Sequence, residues 1–235
     1  MTDASSASPI IAIIPARGGS KGIPGKNLKP VAGLPLLAHS IRQALASSCV
    51  HTCLVSTDDE QIATAAREHG AQVIHRPPEL SGDMASSESA LVHALAAWVA
   101  EGGPEPELVV FLQCTSPVRG HDDIDVAVAT LRSEAADSLL SVSPFHRFIW
   151  QQSDEGAASV NYDFRNRQRR QDLPARFVEN GSIYVFKPWV LRDTGNRLGG
   201  RVALHVMSER ASFEIDTEFD LELIDHILRS EPGVP

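Results

Sequence analysis

Apolar residues along this chain fall into two alternating patterns. Residues 10–14, Ile-Ile-Ala-Ile-Ile, and 108–113, Leu-Val-Val-Phe-Leu-Gln, are short and almost wholly apolar, as strands buried on both faces are. Residues 51–56, 72–75, 137–143, 178–187 and 201–207 predict further strands. Between them, residues 36–47, 60–69, 88–101, 122–133 and 218–229 predict helices. Thr57-Asp58-Asp59-Glu60 reads as a helix start with a capping residue and acids in the first turn, and Gly70 as its stop. A β-α-β-α-β order predicts parallel strands with helices on both faces. With the later strands the expectation is an α/β fold, a mixed, mostly parallel sheet flanked by helices, in a single domain over residues 9–231. The alternation stops between residues 145 and 175, which predicts an excursion at about 143–176 with no place in the sheet.

Polar residues gather where the strands end. After the first strand the chain breaks at Pro15 into a loop with Gly18, Gly19, Gly22 and Gly25 and the cations Arg17, Lys21 and Lys26. Glycines let the backbone turn freely and let a ligand approach the chain closely. Backbone N–H groups with fixed cations suit a polyphosphate; the competing reading is a plain surface turn. Neither common phosphate fingerprint is present. Gly25-Lys26 is followed by Asn27, not Ser or Thr, and no Gly-x-Gly-x-x-Gly occurs in the loop.

Residues 76–87 form a loop rich in turn formers, placed where ligands of parallel sheets bind; Ser86 or Ser87 also suits a helix cap. Gln113, at the end of a buried strand, can both donate to and accept from a polar ligand. Glu214 and Asp216 fall on the same side of an extended segment and could hold Mg²⁺, or Asp216 or Thr217 could simply cap the following helix. In the excursion, Arg165, Arg167, Arg169 and Arg170 follow Phe145, Phe148 and Trp150. These arginines are either a solvated face or an anion site beside an aromatic subunit contact.

Composition narrows the picture. A net charge of −9 over 235 residues argues against nucleic acid or an anionic membrane as partner, so the local cations point to a small anionic ligand. Cys49, Cys53 and Cys114 are too scattered for a disulfide framework and read as core thiols. The histidines show no zinc-ligand spacing. No apolar run reaches the roughly 20 residues of a membrane span. Residues 1–8 read as a disordered tail and not a signal peptide, so a cytoplasmic location is expected.

Ile14-Pro15-Ala16-Arg17-Gly18-Gly19-Ser20-Lys21 with Lys26-Asn27, the Gln113-x-Thr115-Ser116-Pro117-x-Arg119 stretch, Arg170-Gln171-x-Leu173-Pro174 and Asn180-Gly181-x-Ile183-Tyr184 together resemble the CMP-sialic acid synthetases, the acylneuraminate cytidylyltransferases. The likeness runs to about Asp220. It implies a nucleotide-diphospho-sugar transferase-like fold and transfer of CMP from CTP to the anomeric hydroxyl of an acidic nine-carbon 2-keto sugar, with Mg²⁺ (or Mn²⁺) as cofactor. The candidates it offers for CTP are Arg17, Gly18, Gly19, Ser20, Lys26, Asn27, Arg76, Ala85 and Ser87. For the sugar they are Gln113, Arg170 and Asn180, and for the metal Asp216 and Glu214; Arg17, Lys26 and Asp216 would bear on catalysis. The family carries Asp-x-Asp where this chain has Glu214-x-Asp216. The excursion corresponds to an arm that exchanges between two subunits, which implies a homodimer with shared active sites. A CMP-Kdo-type synthetase, another nucleotidyltransferase and a CTP-binding protein without turnover are the rival expectations.

Overall fold

The computed structural model describes residues 8–20, 22–82 and 84–230. Lys21 and nearly all of the expected tail at 1–8 lie outside them. The elements, in chain order, are β1 (Ile10–Pro15), β2 (Pro30–Val31), β3 (Leu34–Pro35), α1 (Leu36–Ala46), β4 (Thr52–Thr57), α2 (Glu60–Glu68), β5 (Gln72–His75), α3 (Ser87–Ala100), β6 (Leu108–Leu112), α4 (Asp123–Ser133) and β7 (Ser138–Pro144). Then come β8 (Trp150–Ser153), β9 (Gly156–Ser159), β10 (Phe177–Phe186), α5 (Pro188–Thr194), β11 (Val202–Val206) and α6 (Glu218–Ser230).

The main sheet has seven strands in the order β11-β7-β10-β6-β1-β4-β5. All its pairings are parallel except those of β10, which runs antiparallel between β6 and β7. Successive residues of β1 face opposite sides of the sheet. Ile10, Ala12 and Ile14 pack with Leu37 and Ile41 of α1, Ile62 of α2, Leu131 of α4 and Ile224 of α6. Ile11 and Ile13 pack with Leu91 and Leu95 of α3 and Leu191 of α5. Both faces are thus covered, which is why the strands carry so few polar residues. The strand order reverses at β1, with β4 on one side and β6 on the other. In open α/β sheets that reversal opens a crevice at the carboxyl ends of the strands.

Arg119 anchors one wall of that crevice from inside. It is 2 % exposed. It donates to Ser40 Oγ at 3.0 Å, Gln43 Oε1 at 2.7 Å, the Gln113 carbonyl at 2.8 Å and the Ser182 carbonyl at 2.9 Å. One guanidinium so ties α1, the end of β6 and β10 together, and burial pushes its pKa down to about 10. Arg119→Met would strip donors from buried acceptors, at a cost of about 3 kcal/mol. Thermal unfolding should then fall by roughly 6–12 °C. An unchanged melting temperature would refute the anchoring role.

The excursion is a structured arm. β8 and β9 form an antiparallel hairpin. Its rings pack on one another: Phe148 and Tyr162 centroids are 4.1 Å apart, and Trp150 lies 5.4 Å from Phe164. Arg165 sits over Phe164 and Arg167 over Phe148, while Arg169 pairs with Asp172 and Arg170 with Glu209. Phe145 and Phe148 are half-buried, but Ile149, Trp150 and Phe164 remain exposed.

Candidate active site

A cleft of about 390 Å³ opens at the carboxyl ends of β1, β5 and β6. Its lining includes Arg17, Ser20, Lys26, Asn27, Arg76, Ala85, Ser87, Gln113 and Asp216. Sequence separation is no obstacle to this convergence, because parallel strands deliver each following loop to the same edge of the sheet. The glycine loop is built to hold cations there. Gly25 adopts φ 65° and starts a 3₁₀ turn at Lys26–Leu28. Asn27 is buried and donates to the Arg17 carbonyl at 3.0 Å, so it braces the loop from within. A Cβ on Gly22 would stand 2.6 Å from the Asp216 carbonyl oxygen, so only glycine lets the loop lie against that segment. Lys26 Nζ donates to the Ile215 carbonyl at 2.7 Å and to Asp216 Oδ1 at 3.3 Å. Arg17 Nη1 donates to the Gly82 carbonyl at 3.0 Å, linking the glycine loop to the 76–87 loop. Buried Arg76 donates to the Ser56 carbonyl at 2.6 Å; burial lowers its pKa, and neighbouring Arg17 adds to that shift while Asp58 opposes it.

Gly18 and Gly19 do not line the cleft. The Gly18 N–H donates to Asp58 Oδ1 at 3.1 Å, and a Cβ there would stand 2.6 Å from Asp59 Oδ2. Asp59 also caps α2, accepting from the Gln61 and Ile62 N–H groups. The acids after β4, legible only as a helix start, thus also clamp the glycine loop. Ser86 rather than Ser87 caps α3, accepting from Ser89 N at 3.1 Å, so Ser87 keeps its place on the cleft wall.

The wall that carries Gln113 is set by Gly181, at φ 63°. A Cβ there would stand 2.7 Å from Gln113 Oε1 and 2.8 Å from Glu214 Oε1, so the missing side chain is what lets both approach β10. Asn180 does not reach the cleft. It is buried, its Oδ1 accepts from Ser141 Oγ at 2.6 Å, and its Nδ2 donates to Ser143 Oγ at 3.2 Å. That bonding fixes the irregular turn of β10 around Gly181, so Asn180, expected at the sugar, stands behind that turn. Arg170 also lies outside this chain's own cleft, 3.4 Å from Glu209 on the exposed arm.

The carboxylates stand on a pinned segment. Ile215 N donates to the Thr115 carbonyl at 2.8 Å, and the Ile215 side chain is fully buried. The helix cap falls to Thr217 and Asp220: Asp220 Oδ2 accepts from the Thr217 N–H at 2.8 Å and from the Asp216 N–H at 3.1 Å, and Thr217 Oγ1 accepts from Asp220 N. The Asp216 carboxylate is left to the cleft. The Glu214 pKa is raised, by burial first and then by the charges of Asp216 and Glu179, with Lys26 opposing. A divalent cation would relieve that excess negative charge. Among the described residues no group of three or more His, Cys, Asp and Glu could hold a metal alone. Two carboxylates without a third suit Mg²⁺, which completes its shell with water and phosphate oxygens. The lining contains no histidine, and burial pushes the Cys114 thiol up to about 12, which removes it as a nucleophile.

A family model described as cytidylyltransferase matches residues 11–187. The N-acylneuraminate cytidylyltransferase of Oncorhynchus mykiss is 36% identical over 217 residues, covering 90% of this chain and 48% of that protein. The post-translational flagellin modification protein B of Campylobacter coli is 29% identical over 230 residues, covering 95% and 97%. The chain spans about half the length of the first curated N-acylneuraminate cytidylyltransferases it matches. The structure of CMP:2-keto-3-deoxy-manno-octonic acid synthetase complexed with CTP superposes with a TM-score of 0.73 at 18% identity, covering 96% of this chain and 100% of that one.

Proposed function

The chain belongs to the cytidylyltransferase family, and from that premise we propose that it transfers CMP from CTP to the anomeric hydroxyl of an acidic nine-carbon 2-keto sugar, releasing pyrophosphate. The observation that carries this reading is the cleft itself, which gathers Arg17, Lys26 and Arg76 with Asp216 and Gln113 in a chain of net charge −9. Relatives named N-acylneuraminate cytidylyltransferase support the choice of acceptor. The acceptor oxygen attacks the α-phosphorus, a P–O bond forms, the α–β anhydride breaks, and the hydroxyl proton passes to solvent.

Catalysis then rests on alignment and charge. Arg17, Lys26 and the loop at Ser20 stabilise the departing pyrophosphate. Arg76, Ala85 and Ser87 hold the nucleoside. Gln113, steadied by the Arg119 bond to its carbonyl, orients the sugar. A Mg²⁺ (or Mn²⁺) held by Asp216 and Glu214 would supply positive charge to the phosphate oxygens. Among the described residues no helix is long and apolar enough to cross a membrane.

The assembly belongs to the same proposal. Val202, Leu204 and Val206 point outward from edge strand β11. Leu204 joins Phe145, Ile149, Phe177 and Val178 along one apolar groove between sheet and arm. A second copy of the chain covers this face and brings its arm to the first copy's cleft.

Incubating the purified protein with CTP, Mg²⁺ and a panel of nonulosonic acids tests the reading, with pyrophosphate and CMP-sugar as readouts and calorimetry with CTP alongside. Turnover is expected to need Mg²⁺ or Mn²⁺ and to favour CTP over ATP, GTP and UTP. Full activity in excess chelator, or equal rates with ATP, would refute the mechanism; CTP binding without pyrophosphate release would leave a nucleotide binder.

A further inference from the structure

We propose that Arg197 is a positioning residue for this transfer, a clasp that fixes the nucleoside end of the cleft against its acceptor end. The inference rests on the function proposed above. Arg197 belongs to none of the motifs in the sequence and does not line the cleft. It sits in the connection between α5 and β11, which local hydrogen bonds and one core contact hold in place. Thr194 Oγ1 accepts from Asn196 N at 3.2 Å, Asn196 Oδ1 accepts from Leu198 N at 3.0 Å, and Leu198 packs on the core.

From that loop the guanidinium reaches both halves of the site. Its Nη1 lies 2.6 Å from Glu88 Oε1, with both side chains largely buried. Glu88 stands in the first turn of α3, immediately after Ser86 and Ser87 of the cleft wall. Its Nη2 lies 3.7 Å from Glu179 Oε1, which also accepts from the Tyr184 hydroxyl. Glu179 precedes the Asn180-Gly181 turn against which Gln113 and Glu214 rest. The guanidinium also lies 4.5 Å over the Tyr184 ring and 5.7 Å from Phe111; those rings stack 5.2 Å apart, and Phe111 lines the cleft.

Only a planar cation can stack on the rings and bridge two carboxylates at once. Its buried Nε makes no hydrogen bond, so the side chain is held by the bridge rather than by full satisfaction of its donors. The chemical consequence is specific. Nucleoside and sugar would each bind to groups on its own wall, and the clasp sets one wall against the other. Its loss should therefore misalign the attack while leaving each binding step nearly intact, and in-line transfer is steeply sensitive to such misplacement.

The test compares Arg197→Met, Arg197→Lys, Glu88→Gln and the double variant Arg197→Met with Glu88→Gln, all in the full chain. Readouts are kcat, KM for CTP and acceptor separately, CTP affinity by calorimetry, and melting temperature. Arg197→Met is expected to lower kcat at least about tenfold with both KM values within about threefold. Glu88→Gln should lower kcat less, the double variant should be no worse than Arg197→Met, and Arg197→Lys should recover part of the rate through Glu88. An unchanged kcat with only a lower melting temperature, or additive losses in the double variant, would overturn the clasp. If Arg197→Met does not fold, Glu88→Gln carries the same decision: a kcat loss of at least about threefold at constant KM supports it, and an unchanged kcat defeats it. A wild-type chain that binds CTP but never releases pyrophosphate overturns the proposed reaction and the clasp with it. Wild-type turnover beside unaltered variants overturns the clasp alone.

Discussion

Replacing Asp216 with Asn is expected to lower turnover at least about a hundredfold while leaving the fold intact. The side chain is 73% exposed, and its contact is the 3.3 Å pairing with Lys26, whose Nζ also holds the Ile215 carbonyl. Exposed pairs of this kind add little stability. The helix that follows does not depend on Asp216 either, because Thr217 and Asp220 supply its cap. Asparagine keeps the shape and removes the charge, so the loss falls on stabilisation of the phosphate oxygens. Mn²⁺ affinity in the presence of CTP, read by electron paramagnetic resonance, should fall with kcat. Glu214→Asp should be tolerated or mildly beneficial, since it keeps the charge and the bare Gly181 leaves room for either acid. Near-normal turnover of Asp216→Asn at saturating Mg²⁺ would mean that the carboxylate has no part in the chemistry.

Asp216 stands out in the sequence as a candidate and Arg197 does not, because a sequence records only local pattern. The strands declared themselves because burial on both faces leaves apolar runs such as residues 10–14, and the helix ends because Asp59 and Gly70 do local work. The glycine loop was legible because Gly22 and Gly25 answer to backbone constraints. Orientation was not: residues 178–187 read as a strand, but nothing in their composition says that β10 runs against its neighbours, since pairing partners are set by topology. The short hairpin of β2 and β3 and the helix α5 were also missed; each is too brief to show a period. The motif points Asn180 to the sugar, and only the fold shows that its amide is bonded inward to Ser141 and Ser143. Arg119 and Arg197 are single cations whose partners come from distant segments, so their roles exist only after folding.

Co-expression of two inactive variants should restore activity, because the sugar site is proposed to be shared between subunits. Arg170 is matched to a sugar-acid contact by its Arg-Gln-x-Leu-Pro setting, yet it lies outside the cleft of its own chain and is 65% exposed beside Glu209. An exposed guanidinium on an arm next to an uncovered apolar groove fits a residue that acts on a neighbour. If the arm carries Arg170 into the partner's cleft, Arg170→Ala is defective in trans and Asp216→Asn in cis. A heterodimer of the two has one site with both residues native and one lacking both. Random assortment gives about half heterodimers, so roughly a quarter of wild-type activity should return. The measurement is CMP-sugar formation by the unfractionated mixture, with a different tag on each variant to confirm that heterodimers are present. Activity no higher than the sum of the separate variants would place Arg170 in its own subunit's site or in none. A single-subunit mass in solution at assay concentration would remove the dimer as well, and the exposed face of Val202, Leu204 and Val206 would then need another explanation.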